Sequence, residues 1–243
     1  MHAAISKRPD TTPLTGLLKE KGDEIFADCD AIALELDLEK DTVKQVLHYA
    51  KKYNKKVFAA ISNMSIAMER RDFLQQIADY VRKDGYDAIV WDEAGELEAD
   101  KHILVMAWRG NGFAAAAARK GHPVILAPCS HFYFDYYQSA ASTEPKAVGG
   151  LIPLKQVYGY ELPELSPEEA ARVRGLQANI WTEYLYNMGL VEYMAWPRAL
   201  ALSERAWSDC DPRDYKSFRS RASRALKILE KLAVKYRPMD EED

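Results

Sequence analysis

Four short stretches of this chain end an apolar run in an aromatic residue beside a carboxylate or a basic group. They are AIVWDEA at Trp91, VMAWRGN at Trp108, HFYFDYYQ at Tyr133 and ANIWTEY at Trp181. Tyr133 and Asp135 are two positions apart, and Trp181 and Glu183 repeat that spacing. In an extended run alternate side chains share a face, so each pair aims a ring and a carboxylate the same way. Flat aromatic walls with a few carboxylates suit a pyranose, whose C–H faces stack on rings while its hydroxyls donate to charged oxygens. The Tyr133 hydroxyl adds a donor for a carbonyl or a developing negative oxygen. This is the chemistry of a sugar-binding site, and a catalyst would need a proton donor as well.

Asp92 and Glu93 are the nearest candidates for that donor, since many glycosidases use two carboxylates. Adjacent residues of a strand point to opposite faces, so only a turn brings both to one ligand. The simpler reading has one of them facing the site or a buried partner while the other caps the following turn. Arg109 reads as a partner for this acidic pair, and Trp196 and Trp207, on a helix-like segment, read as core. No GxGxxG and no P-loop lysine motif is present, and Gly110-Asn111-Gly112 reads as a tight turn into a helix. His2, His48, His102, His122 and His131 have no metal-ligand spacing, so the residues call for no metal and no cofactor. Cys29, Cys129 and Cys210 form no CxxC pair and read as idle thiols.

The elements that must position these residues alternate strand with helix. Ala31–Leu36 and Lys56–Ile61 are strand-like and flank a helix capped by Asp41, with Val43, Val46, Leu47 and Ala50 on its apolar face. A helix over Arg71–Lys83 leads to the strand ending at Trp91. Ile103–Trp108 and Val124–Ala127 read as strands around an alanine-rich helix, Gly112–Lys120, that stops at Gly121. Ser139–Leu165 reads as a long irregular excursion over a binding face. Ser166-Pro167-Glu168-Glu169 then signals a helix start with a capping box. A strand ends at Trp181, Val191–Trp207 reads as one helix, and Asp211-Pro212 opens a last one. Its inner face is Phe218, Ala222, Ala225, Leu229, Leu232 and Tyr236. About six parallel-type strands result, and strand ends are where such α/β folds place their ligands.

The 243 residues are 48% hydrophobic and 29% charged, ordinary for a globular protein able to bury a core. A net charge of −4 and a pI near 5.8 argue against a nucleic-acid surface. No apolar run reaches the length of a membrane span, and MHAAISKRPD has no secretory core, so a cytoplasmic location is expected.

Taken in order, VWDEA, MAWRG, AAAARKGHPVILAPCSHFYFDYYQ, EPKAVGGLIPLKQVYGYE, LQANIWTEY and VEYMAWPRALALSERAW resemble glycoside hydrolase family 20, the β-N-acetylhexosaminidases, over residues 76–208. The resemblance implies the C-terminal half of a (β/α)8 barrel acting on an N-acetylhexosamine-type sugar. By it, Trp91, Trp108 and Trp181 line the pocket, Tyr133 bonds the acetamido oxygen, and Asp135 and Glu183 hold ring hydroxyls. The family's mechanism is retaining and substrate-assisted, with the acetamido carbonyl as nucleophile. Its orienting aspartate and acid glutamate lie in an HxGGDE motif, which this sequence lacks. Asp92-Glu93 matches a different strand end, so the acid role does not carry over. His131 is a minor departure from the pattern.

Residues 5–75, in TTPLTGLL and ADCDAIALELDLEKDTVKQVLHYAKKYNKKVFAAISNMSIAMERRDFL, resemble a middle segment of ribokinase-like (PfkB) carbohydrate kinases. That family's GAGD motif is absent, so kinase activity is not implied. The expectation is a chimera-like α/β chain of two parts, residues 1–75 and 76–243. Parallel βα units form a partial (β/α)8 TIM-type barrel, and the N-terminal βαβ segment completes or flanks it. The expected function is that of a remnant or fragment of a β-N-acetylhexosaminidase, binding the sugar with little or no hydrolysis. The alternatives are an active retaining hexosaminidase and, below it, a sugar or nucleoside kinase fragment. Open barrel edges imply either pairing with the N-terminal segment or association of two chains.

Overall fold

The structure, a computed structural model, describes residues 2–5, 14–35, 38, 40–60, 71–83, 85–95, 100–208 and 214–239. It divides into two compact units, residues 1–106 with 116–124, and residues 107–115 with 125–243.

In the first unit, β1 (His2–Ile5), β2 (Ala31–Glu35) and β3 (Lys56–Ala60) form a parallel sheet in that order. Parallel neighbours need a crossover, and α1 (Leu14–Ala27) and α2 (Lys40–Lys52) supply the two. The expected strand–helix–strand unit is therefore present, with β1 added to it. Ile32 and Leu34 of β2 are buried with Leu18 and Phe26 of α1 and with Val43, Val46 and Ala50 of α2. Tyr49 stacks on Phe26 at 5.3 Å and donates to the Leu18 carbonyl at 3.0 Å. Gly22 makes this approach possible, because a Cβ there would stand 2.2 Å from the Tyr49 ring. Asp41 is not the cap expected for α2. The helix already includes Lys40, so Asp41 stands in its first turn, where a negative charge suits the helix dipole.

Two further helices of this unit are α3 (Arg71–Lys83), with Ile77, Ala78 and Val81 inward, and α4, the single turn Asp92–Gly95. Strand β4 (Ile89–Trp91) pairs parallel with β5 (Leu104–Ala107). With β6 (Val124–Leu126) and β7 (Val173–Leu176) they form a sheet of order β4-β5-β6-β7. His122 is buried with Nδ1 3.1 Å from the Ile103 carbonyl, and burial lowers its pKa.

Helix α5 (Asn111–Lys120) begins one residue earlier than expected and buries Ala114, Ala115, Ala117 and Ala118. The second unit adds six helices among the described residues: α6 (Cys129–Phe132), α7 (Leu154–Tyr158), α8 (Pro167–Ala170), α9 (Met188–Ala195), α10 (Arg198–Trp207) and α11 (Tyr215–Lys231). The Ser166 capping box forms as expected: Ser166 Oγ accepts from Glu169 N, and the Glu169 carboxylate accepts from Ser166 N at 2.8 Å. The excursion from Ser139 to Leu165 is less irregular than expected. It carries α7 and a parallel bridge from Leu151 to Tyr137.

Val191–Trp207 is not one helix. Pro197 has no N–H to continue the ladder, so α9 ends at Ala195 and α10 starts at Arg198. Trp207 is not core either, being 89% exposed at the end of α10. Asp211, Pro212 and Cys210 lie outside the described residues, and α11 is capped by Asp214 through Ser217 N at 3.3 Å. Its buried face is Phe218, Ala222 and Leu226, while Leu232 is 66% exposed. Tyr158 stacks on Phe218 at 4.3 Å and donates to Glu204, which Arg221 grips through two nitrogens.

Candidate functional site

The backbone of the second unit brings two distant segments together. Ala127 N donates to the Ala107 carbonyl at 2.9 Å and Cys129 N to the Trp108 carbonyl at 2.7 Å, tying the end of β5 to the start of α6. Asn179 N donates to the Phe132 carbonyl at 2.8 Å, and Phe134 N to the Asn179 carbonyl at 2.7 Å, so Tyr133 and Asn179 form a parallel bridge. The segments carrying Trp108, Tyr133 and Trp181 are thereby placed side by side.

Their rings meet. Tyr133 lies 6.3 Å from Trp108 at 30°, 6.2 Å from Trp181 at 57°, and 5.9 Å from Tyr136 edge-on. These separations are in the range of favourable aromatic contacts. Trp181 is 41% exposed. Burial raises the Tyr133 pKa, and Cys129 and Asp135 raise it further, against a hydrogen bond from the Trp181 indole. These effects favour the neutral phenol of Tyr133. Gly150, at φ 69°, leaves room for Tyr136, because a Cβ there would come within 2.3 Å of that ring.

The HFYFDYY run is not extended, as the alternation suggested. It leaves α6 at Phe132, bridges at Tyr133 and turns at Phe134 and Asp135. Phe132 and Phe134 are buried, as expected of core. Asp135 is 3% exposed, and its Oδ1 has no hydrogen-bond partner. Burial raises its pKa, backbone hydrogen bonds from its own N–H and that of Trp181 lower it, and Glu183 raises it again. Glu183 itself is exposed. Trp91 belongs to the first unit, half-buried at the end of β4, and is followed by the buried Asp92 in the first turn of α4. Arg109 places its guanidinium 3.8 Å over the Phe113 ring.

Sequence reasoning missed two residues here. Asn179 sits at the bridge with a buried, partnerless Nδ2, while its Oδ1 accepts from Gln177 at 2.8 Å. Arg198 is fully buried and bonds the carbonyls on both sides of Asp135. The one available signal was an arginine inside the otherwise apolar start of WPRALAL. His131 meets Ser130 Oγ at 2.8 Å through Nδ1, and burial lowers its pKa. It lines a separate concavity of about 360 Å³ with Asn111 and Tyr160, away from the ring cluster's own residues. Among the described residues no group of three His, Cys, Asp or Glu is placed to hold a metal, and no helix is long and apolar enough to cross a membrane.

Parallel strands joined by helices, with aromatic and acidic residues after the strand ends, define an α/β protein of the TIM-barrel class, present in part. The family model for the catalytic domain of glycosyl hydrolase family 20 matches residues 22–210, and the chain belongs to that family. The matched range crosses the boundary drawn near residue 75.

A β-hexosaminidase from Porphyromonas gingivalis is 39% identical over 167 residues, covering 68% of this chain and 22% of the relative. A β-N-acetylhexosaminidase from Cellulomonas fimi is 28% identical over 166 residues, covering 65% and 33%. The chain thus spans a third or less of the length of these relatives. Among solved structures, a family 20 exo-β-N-acetylglucosaminidase from Vibrio harveyi in complex with N-acetylglucosamine aligns with 93% of this chain and 35% of that one, at a TM-score of 0.65 and 24% identity. The N-acetyl-β-hexosaminidase of Streptomyces plicatus aligns with 83% and 43%, at 0.69 and 22% identity. At these identities the likeness establishes the fold.

Proposed function

We propose that this chain carries the sugar-holding part of a β-N-acetylhexosaminidase domain and binds a terminal N-acetylhexosamine with little or no hydrolysis of its own. One observation carries the reading: a buried carboxylate, Asp135, keeps an oxygen without a partner next to a cluster of three aromatic rings. A buried polar atom left short is costly, about 1–3 kcal/mol, and a ligand hydroxyl removes that cost. In this reading Trp108 and Trp181 stack against the ring's C–H faces. Tyr133 donates its phenolic proton to the acetamido oxygen, and Asp135 and Glu183 accept from ring hydroxyls. The activities for which the relatives are named and the N-acetylglucosamine bound in the Vibrio harveyi enzyme point the same way.

Hydrolysis needs an acid for the leaving group, and the sequence holds no HxGGDE pair. Loss of general-acid catalysis alone costs roughly 10²–10⁴ in rate. Titration with N-acetylglucosamine, followed by tryptophan fluorescence, tests the binding: saturation that weakens in Asp135→Asn and Trp181→Ala supports it, and no saturable response sinks it. A chromogenic N-acetylglucosaminide tests the second half, where turnover lost in Glu93→Gln makes the chain an enzyme with its acid at Glu93. We also propose that the strand edges of a partial barrel are covered by the N-terminal segment or by a second copy. Light scattering distinguishes a monomer from a dimer.

A further inference from the structure

We propose that Arg198 is a positioning residue for Asp135: its buried guanidinium grips the carbonyls of Phe134 and Tyr136, the residues on either side of that aspartate, and so sets where the carboxylate points. The inference rests on the reading of the ring cluster as a sugar site. Arg198 Nη2 donates to the Phe134 carbonyl at 2.5 Å and to the Met194 carbonyl at 2.8 Å. Its Nη1 donates to the Tyr136 carbonyl at 3.0 Å and the Ile152 carbonyl at 3.2 Å. The guanidinium also lies 4.7 Å from the centre of the Phe134 ring. Four carbonyls from three segments thus converge on one rigid, planar group, and two of them belong to the residues flanking Asp135. A planar fork fixes directions as well as distances, which an ammonium on a flexible stem does not.

The way Arg198 spends its charge separates it from an arginine that only braces the fold. Arg237 and Arg221 in the same unit each meet a carboxylate, Glu144 and Glu204. Arg198 meets carbonyl oxygens and keeps its Nε without a partner, although nothing of it is exposed. Its positive charge is therefore left to act on its surroundings. Those are Glu144, Asp135, Arg237 and Tyr193, while Asp135 has Glu183 and Arg198 as its charged neighbours. Burial lowers the Arg198 pKa to about 9, so it is still charged at neutral pH, and that charge favours the ionised, accepting form of Asp135.

The test uses the full chain and the variants Arg198→Lys and Arg198→Met, with Arg221→Met as a control that loses an ion pair elsewhere in the unit. Two quantities are read: N-acetylglucosamine affinity by tryptophan fluorescence, and the Asp135 titration by carbon NMR of its side chain. Lysine keeps the charge without the fork, so Arg198→Lys should bind the sugar about tenfold more weakly while Asp135 titrates nearly as in the wild type. Arg198→Met should lose the affinity and also move the Asp135 titration to higher pH. Arg221→Met should leave both readings unchanged. Wild-type values in Arg198→Lys and Arg198→Met, or equal losses in the control, overturn the proposal.

Should neither Arg198 variant fold, the wild type alone decides. The Arg198 Nε nitrogen shift is expected to follow the Asp135 titration, and a flat shift through it refutes the coupling. If the wild type binds no sugar, the sugar reading fails alone, because the Asp135 titration in the variants still decides the role of Arg198.

Discussion

Asp135 and Glu144 lie in the same unit, and the carboxylate of each is buried: Asp135 as a residue and the Glu144 side chain are each 3% exposed. Their surroundings differ completely. Glu144 accepts from Ser139 Oγ at 2.7 Å, Arg237 Nε at 2.8 Å and the Tyr193 hydroxyl at 3.3 Å. Asp135 has an oxygen with no donor, and burial holds its proton on to higher pH. Two buried carboxylates with unequal satisfaction distinguish two uses of one chemical group. The saturated carboxylate is a joint between chain segments, and the one left short has capacity for a further donor.

The comparison breaks or sharpens under substitution, and the largest effect belongs to the joint. Glu144→Ala removes the buried carboxylate that joins Ser139, Tyr193 and Arg237 and should cost about 3–5 kcal/mol in urea unfolding. A loss too small to measure would mean that the ion pair is no joint. Asp135→Asn should act in the opposite sense, raising stability at neutral pH by about 1 kcal/mol while weakening sugar binding. The sign follows from linkage. A carboxyl whose folded pKa is raised contributes stability that is fully present below its ordinary value, about 3.9, and is lost as pH rises through the folded pKa. Wild type should therefore lose stability relative to Asp135→Asn across that rise. A pH-independent difference between the two removes the contrast.

Smaller effects come from the rim. Trp181→Ala should weaken N-acetylglucosamine binding by about tenfold with little change in the unfolding midpoint, since much of the indole is already in water. The smallest effect is expected from Arg221→Ala. Arg221, and then Tyr158, hold the Glu204 carboxyl below its usual range against the effect of burial. That stability is present above about pH 4.3 and is lost as pH falls through the folded pKa. The variant should start its acid unfolding at slightly higher pH, read by circular dichroism.

Much of the scaffold was legible because local pattern and tertiary role agree there. Val43, Val46 and Ala50 recur at helical spacing and are buried at that spacing, and Ser166 and Glu169 cap one another across three residues. The rings of the cluster, Trp108, Tyr133 and Trp181, were legible from residue type, although only Trp108 directly follows a strand: Tyr133 follows α6, and β7 ends at Leu176, short of the strand end expected at Trp181. The geometry that gives them meaning was not. Whether HFYFDYY is extended depends on Asn179, forty-six positions on from Tyr133, whose bridge lets the chain turn at Asp135. Trp207 and Leu232 look like core by composition, yet they end helices whose neighbours leave them in water. Arg198 was invisible for a related reason: its partners are backbone carbonyls, which carry no signature in side-chain sequence.

The Glu144–Arg237 clasp closes over 93 positions of chain, and Arg237 also donates its backbone N–H to the Trp196 carbonyl. On a ribosome the loop bearing Glu144 emerges long before the arginine that completes it. Until residue 237 leaves the exit tunnel, that carboxylate has no cation, and water must serve it instead. Contacts between such distant positions also slow folding through the entropy of closing the intervening chain. Nascent chains of this protein therefore keep the segment after Tyr137 solvated until the stretch around Arg237 has emerged.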